Sequence, residues 1–390
     1  MGNKIAHGRT RNADGRQRAG RRHAALRHAS ATHHGSTRHH ATASRPAFAA
    51  VDLGTNNCRL LIAEPNGHGF QVIDAFSRIV RLGEGLGARG VLSEAAMTRT
   101  ISGLRVCAGK MRRRRVEQAR CIATDACRRA ANCDEFIARV ARETGIDLEI
   151  ISSLEEAQLV LAGSQPLLEP DVPWALLFDI GGGSTELVWM RLDVNPHEMV
   201  GWTSLPRGVV SLAEAYGGDF VSRHAYDAMV AEIWDLLTPF EHKHRITDRI
   251  AGGEVQMLGA SGTVTTMAGV HLELSRYDRT QIDGLRLSFD EIDKVSARLQ
   301  ELDLTARAAI PTIGPERADL VIAGCAILEA IQRLWPVGFL RVADRGVREG
   351  LLMGMMHPCI PAMVGFSANR GRELSAALAH EDERIPPFAS

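Results

Sequence analysis

Hydrophobic positions along the chain follow two periods, and elements can be drawn from where the period changes. Ala49, Ala50, Val51 and Leu53 form a short apolar run that ends at a turn on Gly54. Apolar runs resume over 58–64 and 70–75, so this stretch reads as strand, turn, strand, a hairpin pattern. Over 93–113 the apolar positions Ala96, Ile101, Leu104, Cys107, Ala108 and Met111 fall at helical spacing, with Ser93 placed as N-cap. A strand at 120–123, a helix at 124–142, a strand at 147–151 and a helix at 154–162 capped by Ser153 follow. A Pro-containing linker at 165–173 leads into an apolar strand at 174–179, a turn at 181–184 and a strand at 184–190. Helices are predicted over 222–241, part of 248–258, from the Gly-rich turn 259–263 through Met267, and over 289–302, 316–334 and 345–356. Strands that alternate with helices in this way predict α/β layers.

Composition narrows the class. The chain has 390 residues, long for one domain and comfortable for two. With 45% hydrophobic and 24% charged residues it is not a disordered, collagenous or disulfide-scaffold chain. Its longest apolar stretch, 320–331, is broken by Glu329 and falls short of the ~20 residues a bilayer span needs, so no membrane partner is expected. The net charge of zero conceals a partition. Residues 1–46 hold ten Lys/Arg against one acid, Asp14, together with seven of the fifteen histidines; the remainder holds 36 bases and 45 acids. Such a segment buries too little apolar surface to offset its ordering entropy, and a disordered basic tail is expected. It lacks the apolar region of a secretory signal, and its apolar face is poor for a transit peptide. Weak contact with a polyanion is its alternative role. The basic run Arg112, Arg113, Arg114 and Arg115 reads as a solvated helix end. Seven cysteines with no CxxC spacing read as small buried residues of a reducing cytoplasm, so a cytoplasmic location is expected.

The informative pattern is an internal repeat. DLGTNNCRLL at 52–61 aligns without gaps on DIGGGSTELV at 179–188, 127 residues on, with Asp52 on Asp179, Gly54 on Gly181 and Arg59 on Glu186. Each copy ends an apolar strand and turns straight into another, which implies two related domains facing a cleft. The small residues Gly54, Thr55, Asn56 and Asn57, and Gly181, Gly182, Gly183, Ser184 and Thr185, would expose backbone N–H groups on one side, a concavity suited to anionic oxygens. Asp52 and Asp179 would repel a bare phosphate; as ligands of a hard cation such as Mg²⁺ they fit beside one. The alternative is a pair of hairpins in which each Asp caps its own turn, and two turns in register favour the phosphate reading. A third turn, with Gly259, Ser261, Gly262 and Thr263, opens a helix whose N-terminus also favours an anion.

Acid–base candidates flank these turns. Glu155 and Glu156 open a helix about 100° apart, so one alone can face a cleft; Glu155 reads as a partner of the helix dipole. Glu186 shares a strand face with Ser184. Arg128 opens another helix, where an anion contact and an ordinary surface arginine stand level.

Six segments in order, VDLGTNNCRLLI (51–62), IATDACRRAAN (122–132), ISSLEEAQLVLAG (151–163), FDIGGGSTELVW (178–189), LGASGTVTT (258–266) and VADRGVREGLL (342–352), resemble the exopolyphosphatase / guanosine-pentaphosphate phosphohydrolase family over about residues 47–356. The resemblance implies two actin-like ATPase (ribonuclease H-like) domains, each with a mixed five-stranded sheet, around a central cleft. The first would span 47–165 and the second 166–340, with a helix at 341–357 packing back on the first and a tail at 358–390. It implies that Glu156 positions and activates water, that Asp179 and Glu186 organise metal and water, that Asp52 is the first-hairpin acid, and that Arg128 contacts phosphate. The implied activity is release of terminal orthophosphate from inorganic polyphosphate, from guanosine pentaphosphate, or from both, by metal-assisted in-line attack of a water. Longer members carry a further helical C-terminal region that this chain lacks, so it resembles the short form. Two local departures are Ser153-Leu154, where a Gly is usual, and Asn57 in place of a more usual Ser. Rival readings are an ATP-dependent kinase or ATPase, which would need an adenosine-binding pair such as Gly252-Gly253, and a non-catalytic polyphosphate- or alarmone-binding regulator. The oligomeric state is left open, a homodimer included.

Overall fold

The computed structural model describes residues 45–67, 69–357 and 364–366. The basic tail read at 1–46 falls outside the described residues up to residue 44, as do Cys359 and most of the tail read at 358–390. Residues Arg45–Ser390 form one contact unit.

Two mixed sheets organise it. The first holds β1 (Ala47–Leu53), β2 (Asn57–Pro65), β3 (Phe70–Ile79), β4 (Val116–Ala123) and β5 (Glu149–Ile150), in the order β3-β2-β1-β4-β5. The second holds β6 (Trp174–Ile180), β7 (Thr185–Arg191), β8 (His197–Leu205), β9 (Val255–Ala260), β10 (Arg286–Ser288), β11 (Phe339–Ala343) and β12 (Val364–Phe366), in the order β10-β11-β9-β6-β7-β8-β12. The two centres are built alike. β1 runs antiparallel to β2 and parallel to β4, and β6 runs antiparallel to β7 and parallel to β9. The second sheet has seven described strands where the resemblance implied five, because β10 and β12 extend its edges.

Strand alternation distributes the cores. On β6, Leu176, Phe178 and Ile180 face one hydrophobic core while Ala175 and Leu177 face another. β1 does the same, with Ala49, Val51 and Leu53 on its outer face and Ala50 on its inner face. The inner core joins Ala50, Leu61 and Ile122 of the first sheet to Leu177, Val188 and Leu258 of the second. Two helices fill the space between, Ser153–Ser164 and Val347–Met356, the latter lying on β1 and β2. They cross at backbone distance: a Cβ on Gly163 would lie 2.1 Å from the Gly346 carbonyl oxygen, and one on Gly350 would lie 2.2 Å from that of Leu159.

Several predicted elements are corrected. The helix read at 124–142 is two, Asp125–Arg129 and Cys133–Thr144. The break is anchored from outside: the Asn132 side chain accepts from Leu92 N and donates to Leu92 O, and Ala131 N donates to Gly90 O. Ser152, not Ser153, caps the helix that bears Glu156. The stretch read as helix at 248–258 contains β9, whose six residues are all buried, so no alternation marked it as a strand. β8 and the helix Val209–Tyr216 carried no local signal and were not predicted. The helix read at 316–334 begins at Val321. Six described cysteines are free and buried. No helix among the described residues is long and apolar enough to cross a membrane.

Candidate active site

The C-terminal ends of parallel strands are where open α/β sheets bind ligands, and here both sheets aim those ends at one place. β1 leads into the first hairpin, β6 into the second and β9 into the third turn. The two hairpins close with the same bond: Gly54 N donates to Asn57 O at 2.9 Å, and Gly181 N donates to Ser184 O at 2.9 Å. They also touch one another. A Cβ on Gly182 would lie 3.0 Å from Thr55 Cβ, and one on Gly183 would lie 1.9 Å from an oxygen of Asp125. Gly182 and Gly183 are therefore demanded by the presence of the first hairpin and of Asp125, which itself accepts from Thr55 Oγ1 at 3.5 Å.

Between the hairpins lies a cavity of 130 Å³ lined by Asp52, Gly54, Thr55, Asn56, Asn57, Glu156, Asp179, Gly181, Gly182, Gly183, Ser184, Ser261, Gly262 and Thr263. Most of the candidate residues thus converge. Two do not line it. Gly259 lies within β9 rather than in the turn, against the Phe178 ring, where a Cβ would come within 2.8 Å. The Thr185 hydroxyl turns away to donate to Arg207 O at 2.8 Å. Ser261, the helix N-cap, has φ 115, a backbone region that non-glycine residues rarely occupy; such strain clusters at functional sites.

Four carboxyl groups gather here. Burial raises the pKa of Asp52, and burial with the neighbouring Glu156 pushes Asp179 up to about 7. Burial and Glu186 raise Glu156 against the opposing pull of Arg128. Glu186 is raised by burial although Ser184 Oγ donates to it at 2.6 Å and Ser204 Oγ at 2.9 Å. Arg128 Nη1 reaches Glu156 Oε2 at 2.8 Å and Ile151 O at 3.1 Å, so this arginine faces the acid cluster rather than solvent. Its Nη2, with the side-chain carbonyls of Asn56 and Asn57, is buried without a hydrogen-bond partner, a condition that calls for an explanation such as a ligand.

The first cavity opens into a second of 850 Å³, with Asp52, Arg59, Asp179, Ser261, Gly262 and Arg317 shared between them. Six arginines line the larger space: Arg59, Arg78, Arg279, Arg317, Arg345 and Arg348. Arg279 pairs with Glu349 at 2.9 Å, and Arg345 pairs with Asp283. Among the described residues, Arg59, Arg317 and Arg348 make no side-chain hydrogen bond or ion pair. Sequence reasoning assigned none of these arginines. Arg59 lay inside the repeat, where its alignment on Glu186 was a usable signal; Arg317 follows no motif.

A family model described as the Ppx/GppA phosphatase family matches residues 61–358. The chain belongs to that family. An exopolyphosphatase-like protein of known structure is similar to it, with 27% identity and a TM-score of 0.72 over 80% of this chain and 100% of the other. The Aquifex aeolicus PPX-GPPA enzyme is similar at 27% identity and a TM-score of 0.65, over 79% and 99%. An exopolyphosphatase from Cytophaga hutchinsonii, at 24% identity, shares the fold with a TM-score of 0.73 over 80% and 98%. The two mixed sheets of this Ppx/GppA protein are those of the actin-like ATPase fold, as the resemblance implied. At family level the chain is a phosphatase.

Proposed function

We propose that this protein hydrolyses the terminal phosphoanhydride of a polyanion, inorganic polyphosphate or guanosine pentaphosphate, releasing orthophosphate. The observation that carries the reading is the continuity of two unlike cavities. A small chamber lined by turn amides and hydroxyls suits one terminal phosphoryl group, and the arginine-lined space beyond it suits the rest of a highly charged chain.

The chain's own groups divide the work. The amides of both hairpins and of the third turn hold the terminal phosphoryl oxygens, and Arg128 adds charge beside them. Glu156 orients the attacking water and accepts its proton; its raised affinity for protons suits a base that works near neutrality. Glu186, held by two hydroxyls, fixes that water's surroundings. Arg59, Arg317 and Arg348 take the remainder of the polyanion. Phosphoryl transfer asks for little covalent chemistry from a protein, so positioning and charge supply most of the acceleration.

Asp52 and Asp179 fit a divalent cation as a pair of buried carboxylates whose pKa burial raises against the pull of Arg59 and, at Asp52, of Arg348. Among the described residues no three His, Cys, Asp or Glu side chains stand close enough together to hold a metal ion, so a cation here would share its shell with water and substrate oxygens, as Mg²⁺ commonly does. Mg²⁺ bound there would neutralise charge on the terminal phosphate.

The ATP-dependent alternative finds no support in Gly252-Gly253. That pair precedes the N-terminal end of β9, whereas the cavity lies at its C-terminal end. The test is phosphate release from polyphosphate and from guanosine pentaphosphate, with Mg²⁺ and with a chelator. Release that needs the cation is expected; binding without turnover would convert the reading to a non-catalytic regulator.

A further inference from the structure

We propose that Arg81 is a positioning residue, which presents Arg317 to the bound polyanion from the opposite side of the cleft; this rests on the reading of the cleft as a polyanion site. Arg81 lies in a strap, residues 80–85, fastened beneath the first hairpin. Val80 N and Arg81 N both donate to Asn56 O, at 2.8 and 3.0 Å, and Gly83 N donates to Thr55 O at 2.9 Å. A Cβ on Gly83 would lie 2.3 Å from Thr55 Cγ2, so strap and hairpin are in backbone contact. The strap bends at Arg81 itself, whose φ of 47 lies in the left-handed region that an arginine seldom occupies. A residue kept there against its backbone preference points to work done by its side chain.

That side chain crosses to the segment 316–319. Its Nη2 donates to Glu316 O at 3.1 Å and to Asp319 Oδ1 at 2.9 Å. Between those two, Ala318 O accepts from Nη1 of the buried Arg307 at 3.1 Å. Glu316, Ala318 and Asp319 are therefore all pinned, while Arg317 has no side-chain partner among the described residues and lines both cavities. A second tie runs parallel. Gly85 N donates to Glu214 Oε1 at 2.7 Å, and Glu214 sits on the helix Val209–Tyr216, whose Val209 N and Val210 N donate to Gly181 O and Gly182 O at 3.0 and 2.8 Å. The strap thus links the first phosphate hairpin both to the second hairpin and to the segment that carries Arg317.

A plain surface ion pair would contribute little and leave catalysis alone, so the experiment must separate the two roles. Arg81→Gly removes the guanidinium and relieves the left-handed backbone, so thermal stability should hold. With medium-chain inorganic polyphosphate as probe, Arg81→Gly is expected to raise KM ~10-fold, the scale of one lost charge-assisted contact, with kcat little changed. Arg317→Ala should raise KM as well, and Arg81→Gly should add nothing in the Arg317→Ala background, because groups acting as one unit are not additive. Arg81→Lys should recover part of the affinity. A wild-type KM in Arg81→Gly, or full additivity with Arg317→Ala, would overturn the proposal while leaving the polyanion reading intact. A wild-type protein that neither binds nor cleaves polyphosphate or guanosine pentaphosphate would instead overturn that reading, and this inference with it.

Discussion

The two hairpins share a backbone and differ in charge. Each closes with a Gly-to-residue-three bond of 2.9 Å, and each follows the central strand of a mixed sheet. In the ladders beyond, Asp52 sits opposite Arg59 and Asp179 sits opposite Glu186. One position of the repeat therefore carries a cation in the first copy and a carboxylate in the second. Arg59 faces both cavities, and Glu186 is buried beside Ser184 and Ser204 with the other acids. The repeat supplies two alike turns, and on the proposed reading that divergence would give the site polarity, with a side for the chain of the polyanion and a side for the bond to be broken.

The comparison can be broken by substitution, and the largest effect is expected at Glu156, which lies outside both copies of the repeat. Glu156→Gln should lower kcat by ~10²–10⁴-fold, the usual worth of one acid–base group, while polyphosphate binding measured directly survives. Full activity would remove Glu156 from its role. Next come the glycines. Gly183→Ala places a methyl 1.9 Å from Asp125 and should cost the ~1–3 kcal/mol of an overpacked site, read as lost activity and a lowered denaturation midpoint. The charge divergence itself is tested by Arg59→Ala and Glu186→Gln. Arg59→Ala should raise KM by ~10-fold, the scale of a contact to a charged group, and steepen no salt dependence; Glu186→Gln should act on kcat instead. The same parameter moving in both variants would dissolve the proposed polarity. The smallest effect belongs to Gly54→Ala, whose Cβ would lie 3.8 Å from Asn57 O, ordinary contact. Near-wild-type kinetics there, beside a crippled Gly183→Ala, would show that the two copies are constrained by each other and not by turn geometry alone.

The repeat was legible because its signal is local: Asp, a small-residue turn and an apolar strand follow one another within ten residues. Glu156 and Arg128 were legible only as candidates, since their meeting at 2.8 Å spans separate elements. β9 was hidden because a strand buried on both faces has no period of two, and the misplaced turn at Gly259 followed from that error. Arg317 and Arg279 come from a loop and a short helix far from the repeat, and nothing near them in the chain distinguishes them from solvated arginines; Arg345 and Arg348 lay inside the segment VADRGVREGLL, whose reading gave them no role. Asp125 was named in the helix-opening segment, yet its contact with the second hairpin exists only once both hairpins have come together.

The helix Val347–Met356 has a consequence for the order of assembly. Its Val347, Leu351 and Leu352 complete the inner core beneath Ala50, Leu61 and Ile122, residues synthesised more than two hundred positions earlier. During translation β1 and β2 must wait without this helix until residues 347–356 have left the ribosome. A premature stop anywhere before residue 347 would therefore damage the part of the protein that was made first.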